Sequence, residues 1–158
     1  MTTALREPTL FDPPSGALRA DSDAAFAARA FSHARRRLAL QLAAAQDASL
    51  PAAFGCSSMV QYGACELDLD PRETQALLEA GQRLRSLPRT DAELVAGHLS
   101  WRRAELLMRV VTPTVEKAWL EVARDLPWST LRQQVEGARR GRPPRRRRAT
   151  SAGAPARA

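Results

Sequence analysis

Residues 70–88 read DPRETQALLEAGQRLRSLP, and this stretch decides the fold class. Asp70 offers an oxygen to an early backbone N–H, Pro71 needs no N–H in a first turn, and Glu73 completes a capping-box-like arrangement. Behind that start, Thr74, Leu77, Leu78, Gly81 and Leu84 recur at three- and four-residue steps, the period of one helix face. Pro88 closes the pattern, so the helix is expected to end near Ser86.

The same punctuation extends in both directions. Upstream, Ser57 or Ser58 can cap a helix through about Leu67, with Met59, Tyr62 and Cys65 inward, and Asp68-Leu69-Asp70 makes the turn. A break at Ser49–Gly55 includes Pro51. Before it a helix is expected from near Asp21, with Phe31, Leu38, Leu42 and Ala45 on its inner face and most of the run Arg35, Arg36, Arg37 pointing outward. Downstream, Thr90 can cap a short helix that Gly97 stops. Ser100 caps the next, from Trp101 to about Val111, with Trp101, Ala104, Leu107, Met108 and Val111 as its buried stripe. Thr112-Pro113 repeats the cap-plus-proline start of a helix to about Asp125. Pro127 breaks the chain, and Ser129 begins a last helix to about Arg139.

No segment alternates apolar and polar residues, so no strand is expected. The reading is an all-α, compact multi-helix bundle over residues 21–139. Residues 1–20, with Pro8, Pro13, Pro14 and Gly16, read as a flexible arm. Residues 140–158 read as a basic tail that is disordered when free, because no large apolar residue there offsets the cost of ordering.

Composition sets the electrostatics. The chain has 158 residues, enough for one domain, and a formal net charge of +7. That charge is uneven. Residues 139–158 hold eight arginines and no acid, so the remainder has 16 basic and 17 acidic residues. Lys117 is the only lysine, and a GC-rich genome accounts for an arginine bias of that kind without any role in phosphate binding.

The residues for common catalytic schemes are missing. An HNH-type nuclease uses a histidine to activate water, metal-holding histidines or acids, and commonly an asparagine. Here His33 and His98 lie on different elements and there is no Asn. There is no Gly-rich phosphate loop, GxSxG elbow or HExxH. Cys56 and Cys65 fit neither a zinc pattern nor CxxC, and read as buried free thiols. No catalytic residue, metal or cofactor is therefore expected. No secretory signal or membrane span is visible, which leaves the cytoplasm as the expected location and no membrane as partner.

Two segments read as helix-turn-helix-like pairs. In residues 57–86, Arg72, Gln75, Glu79, Gln82 and Arg83 share the outer face of the second helix. Arg72, Gln75 and Arg83 are candidate DNA contacts, since such side chains suit base edges and phosphates. Glu79 opposes that role, and an ordinary amphipathic helix has the same pattern. In residues 90–111, Arg102, Glu105 and Arg109 form a self-neutralising face. The tail residues Arg139, Arg140, Arg142, Arg145, Arg146, Arg147 and Arg148 are the densest candidate for salt-sensitive phosphate contact.

From Phe54 to about Pro144 the chain resembles the helical domain found N-terminal to the nuclease domain in bacterial HNH endonucleases. The resemblance rests on GCSSMVQYGACELDLDPRETQALLEAGQRLRSLP (Gly55–Pro88) and AELVAGHLSWRRAELLMRVVTPTVEKAWLEVARDLPWSTLRQQVEGARRG (Ala92–Gly141). It implies an all-α fold and an association with DNA-acting proteins. The nuclease motif of that family lies further downstream, where this chain has arginines, so nuclease activity is not carried over. The expected function is a non-catalytic DNA-binding or DNA-targeting module. The alternative is a helical module that docks a partner nuclease or another protein subunit.

Overall fold

The computed structural model describes residues 15–141, and these are all-helical, with no strand. In chain order the helices are α1 (Ser15–Asp47), α2 (Leu50–Ala53), α3 (Met59–Glu66), α4 (Pro71–Arg85), α5 (Pro88–Val95), α6 (Trp101–Leu107), α7 (Glu116–Asp125) and α8 (Trp128–Arg139). Among the described residues no helix is long and apolar enough to cross a membrane.

Helix α4 is the hub, packing on α1, α3 and α5. Asp70 caps it: Oδ1 accepts the Arg72 N–H at 2.8 Å and the Glu73 N–H at 3.4 Å. Thr74, Leu77, Leu78, Gly81 and Leu84 are all buried, as the spacing predicts, and Ala80 joins them. Two glycines set the helix separations. At Gly81 an added Cβ would lie 2.5 Å from the Ala39 carbonyl carbon and 3.1 Å from the Ala43 Cβ, so α1 and α4 touch almost backbone to backbone. At Gly63 it would overlap the Thr74 side chain, so α3 packs directly onto that side chain of α4.

Several local expectations are corrected. Glu73 does not close a capping box; it accepts from Arg35 of α1 at 2.6 Å. Arg36 likewise turns to α5, its Nε and Nη2 donating to both Asp91 carboxylate oxygens at 2.5 and 2.6 Å. That hydrogen bond raises the Arg36 pKa above its ordinary value, against an opposing effect of burial. Leu42 is buried and Leu38 and Ala45 pack partly buried against the core, as expected, but the centre of the inner face of α1 is Ser32, Ala39 and Ala43, and Phe31 is 56% exposed. The alanine-rich segment also propagates the helix back to Ser15, six residues before Asp21. Cys65 is exposed and Cys56 only partly covered, so these thiols are free but not buried.

Thr90 does not cap α5. Helix α5 begins at Pro88 after Leu87, which provides no capping oxygen. The cap comes from α7: the buried Glu116 Oε1 accepts the Thr90 N–H at 2.6 Å. Helix α5 ends in a Schellman turn. His98 N–H bonds to Glu93 O at 3.0 Å and Gly97 N–H to Leu94 O at 3.2 Å, with Gly97 at φ 73°.

Ser100 caps α6, as expected, and the stripe Trp101, Ala104, Leu107, Met108 and Val111 is buried. The helix nevertheless stops at Leu107, where i→i+3 bonds to Leu106 and Leu107 tighten the chain into a turn, and Arg83 takes the Met108 and Val111 carbonyls. Helix α7 starts at Glu116 rather than at Pro113. Thr112 bonds Thr114 side chain to side chain at 2.9 Å and its carbonyl accepts the Val115 N–H, forming a separate turn. Helix α8 starts at Trp128, one residue before Ser129.

Candidate nucleic-acid interface

The arginines fall into two sets. In the first, the guanidinium is taken up by another group of the chain. Arg35 and Arg36 bridge α1 to α4 and α5, Arg85 pairs with Asp47 at 2.5 Å, and Arg124 pairs with Glu93. Arg103 donates to the Ala123 and Leu126 carbonyls at the end of α7. Arg83 does the same for the segment after α6: Nε donates to Met108 O at 3.1 Å, and Nη2 to Met108 O at 2.7 Å and Val111 O at 3.2 Å. Charged donors satisfying orphan carbonyls are structural ties.

A second set faces outward: Arg19, Arg29 and Arg37 on α1, Arg72 on α4 and Arg89 on α5 are scattered singly, whereas three come together on α6 and α8. Arg102, Arg109 and Arg132 are exposed and line one cleft of about 270 Å³ together with Glu105, Trp128 and Glu136. Arg102 stacks on the Trp128 ring, its guanidinium carbon 4.5 Å from the centroid. Arg109 and Arg132 have no ion pair among the described residues. Arg139 lies 4.0 Å from Glu136, and Arg140 follows at the exposed end of α8. Glu105 and Arg109 also border a second cleft of about 540 Å³ between α4 and α6, so the two openings form one continuous surface.

The expected DNA-contact residues are spread across this map. Arg72 is exposed in the first turn of α4. Gln75 donates to Glu79 at 2.7 Å on the same face, and Arg83 is occupied as above. Arg139 and Arg140 sit at the end of α8, adjoining the cleft residue Glu136 in sequence. Arg142, Arg145, Arg146, Arg147 and Arg148 lie outside the described residues. Sequence reasoning missed Arg132 and Trp128 as partners of Arg102 and Arg109. The signal available was their α8 spacing, since Trp128, Arg132 and Glu136 recur every four residues.

His98 is exposed at the α5 turn, 3.6 Å from Glu93. Among the described residues no group of three or more His, Cys, Asp and Glu side chains is placed to hold a metal ion. The Cys56 thiol is pushed above its ordinary pKa, first by partial desolvation and then by Cys65 and Glu66, which lowers its thiolate fraction. No family model, curated protein or solved structure matches this chain.

Proposed function

We propose that this chain is a non-catalytic module that binds DNA through the outward arginines of α6 and α8, continued by the arginine-rich segment that follows. The observation that carries this reading is the cleft in which Arg102, Arg109 and Arg132 outnumber Glu105 and Glu136 beside Trp128. Guanidinium groups not spent on internal partners remain available to neutralise phosphates. A guanidinium already stacked on an indole is held in place and loses less freedom when it takes up an anion. Arg139 and Arg140 extend the same positive surface toward residues 142–148, which contain five more arginines. The outer face of α4 supports base reading less well, because Gln75 is tied to Glu79 and Arg83 to the Met108 carbonyl. Binding of this kind is dominated by backbone phosphates and is tolerant of sequence.

Fluorescence anisotropy with a labelled duplex at low salt tests this directly. The full chain, a chain lacking residues 142–158, and full-length Arg102→Gln/Arg109→Gln/Arg132→Gln are compared. The expected result is weaker binding for both altered proteins. Binding that is unaffected by the triple substitution would assign contact to the segment after α8 alone. No binding by the full chain at low salt would remove DNA as the ligand.

A further inference from the structure

The first half of α1 stands apart from the bundle. Every residue from Arg19 to Phe31 is exposed, including Phe26 at 68% and Phe31 at 56%. Contact with the bundle begins at Ala28 and Arg29, which border Leu94, Gly97 and Leu99, and burial begins at Ser32. The turns before Ala28 bury no side chain, and a helix that packs no apolar face is marginal in water. At 100° per residue, Ala20, Ala24, Ala27, Phe31 and Ala34 lie within an arc of about 80°. The steps between them are four, three, four and three, the a/d spacing of a coiled-coil seam. This seam lies to one side of the face that α1 turns to α4, and all five residues are exposed.

Charge determines what fits the seam. Asp23 and Arg37 flank the same edge, two heptads apart, and both are exposed with no ion pair among the described residues. A second copy packed parallel and in register would set Asp23 against Asp23 and Arg37 against Arg37. An antiparallel copy, related by a twofold axis level with Arg29, brings each Asp23 within two residues, about 3 Å along the helix, of the other chain's Arg37, inside the reach of its side chain. The same axis brings the small side chain of Ala27 opposite Phe31 and Ala24 opposite Ala34, a seam of small side chains around one Phe of each helix across about 21 Å.

We infer that the exposed half of α1 pairs antiparallel with its counterpart in a second copy of the chain, forming a twofold dimer through Ala20, Ala24, Ala27, Phe31 and Ala34.

Sedimentation equilibrium on the full chain measures this. The predicted mass is twice 17.3 kDa. Ala27→Glu, at an exposed position, should return the protein to a monomer with its helical circular dichroism retained. Asp23→Arg and Arg37→Asp should each weaken self-association about tenfold, because each places two like-charged pairs in the symmetric seam. The double exchange should restore it, an outcome that only the antiparallel arrangement produces. A monomer at about 1 mM overturns the inference. So does a dimer that is indifferent to Ala27→Glu, which would place the contact elsewhere. If the chain is monomeric and Ala27→Glu weakens duplex binding instead, the face belongs to nucleic acid and the dimer is refuted.

Discussion

The buried carboxylate of Glu116, at the start of α7, accepts the backbone N–H of Thr90 in the first turn of α5 at 2.6 Å. One helix thus caps another across 26 residues of chain. Removing the acceptor leaves a buried donor unpaired, at a cost of about 1–3 kcal/mol, in addition to the void left by the side chain. Glu116→Ala should therefore lower the urea midpoint strongly. Glu116→Gln keeps an acceptor oxygen and should lose less. Equal losses for the two variants would show that the capping bond contributes nothing beyond the volume filled.

Gly81 supplies a second test of packing. Alanine is the better helix former by about 1 kcal/mol, so Gly81→Ala at an open site would stabilise the protein. Here the new methyl would meet the Ala39 carbonyl group in the neighbouring helix. Overpacking of this kind costs about 1–3 kcal/mol, so the net change is expected to be destabilising. Thermal unfolding decides the sign, and a raised melting temperature would mean that α1 and α4 are not held this close.

Arg83 separates a structural role from a binding role. Its guanidinium holds the Met108 and Val111 carbonyls. Arg83→Ala should cost about 1.5–3 kcal/mol of stability, the range for hydrogen bonds to a charged group. Duplex affinity measured well below the unfolding transition should stay within about twofold, the change expected when no phosphate contact is lost. A large loss of affinity with unchanged stability would return Arg83 to the DNA-facing set that its helix position suggests.

These cases show which parts of the molecule were legible in the sequence. The cap and inner face of α4 were, because Asp70, Pro71 and the 74–84 spacing act within a few turns of chain. The α6 stripe from Trp101 to Val111 was legible for the same reason. Long-range side-chain use was not. Arg35 and Arg36 look like a solvated run, yet their partners Glu73 and Asp91 lie 38 and 55 residues away. Thr90 has the composition of a cap, but Pro88 already opens α5 and a distant glutamate does the capping. The candidate interface was half visible. Arg102, Glu105 and Arg109 read as self-neutralising on α6 alone, and only the packing of α8 beside them adds Arg132 and the Trp128 ring.

The salt dependence of duplex binding tests the α6–α8 surface most directly. The slope of log Kobs against log salt changes by about 0.9 for each phosphate contact. Arg102→Gln/Arg109→Gln/Arg132→Gln in the full-length chain is predicted to flatten that slope by about 2 to 3 relative to the unaltered protein. Two superimposable slopes would contradict the assignment of phosphate contacts to this surface.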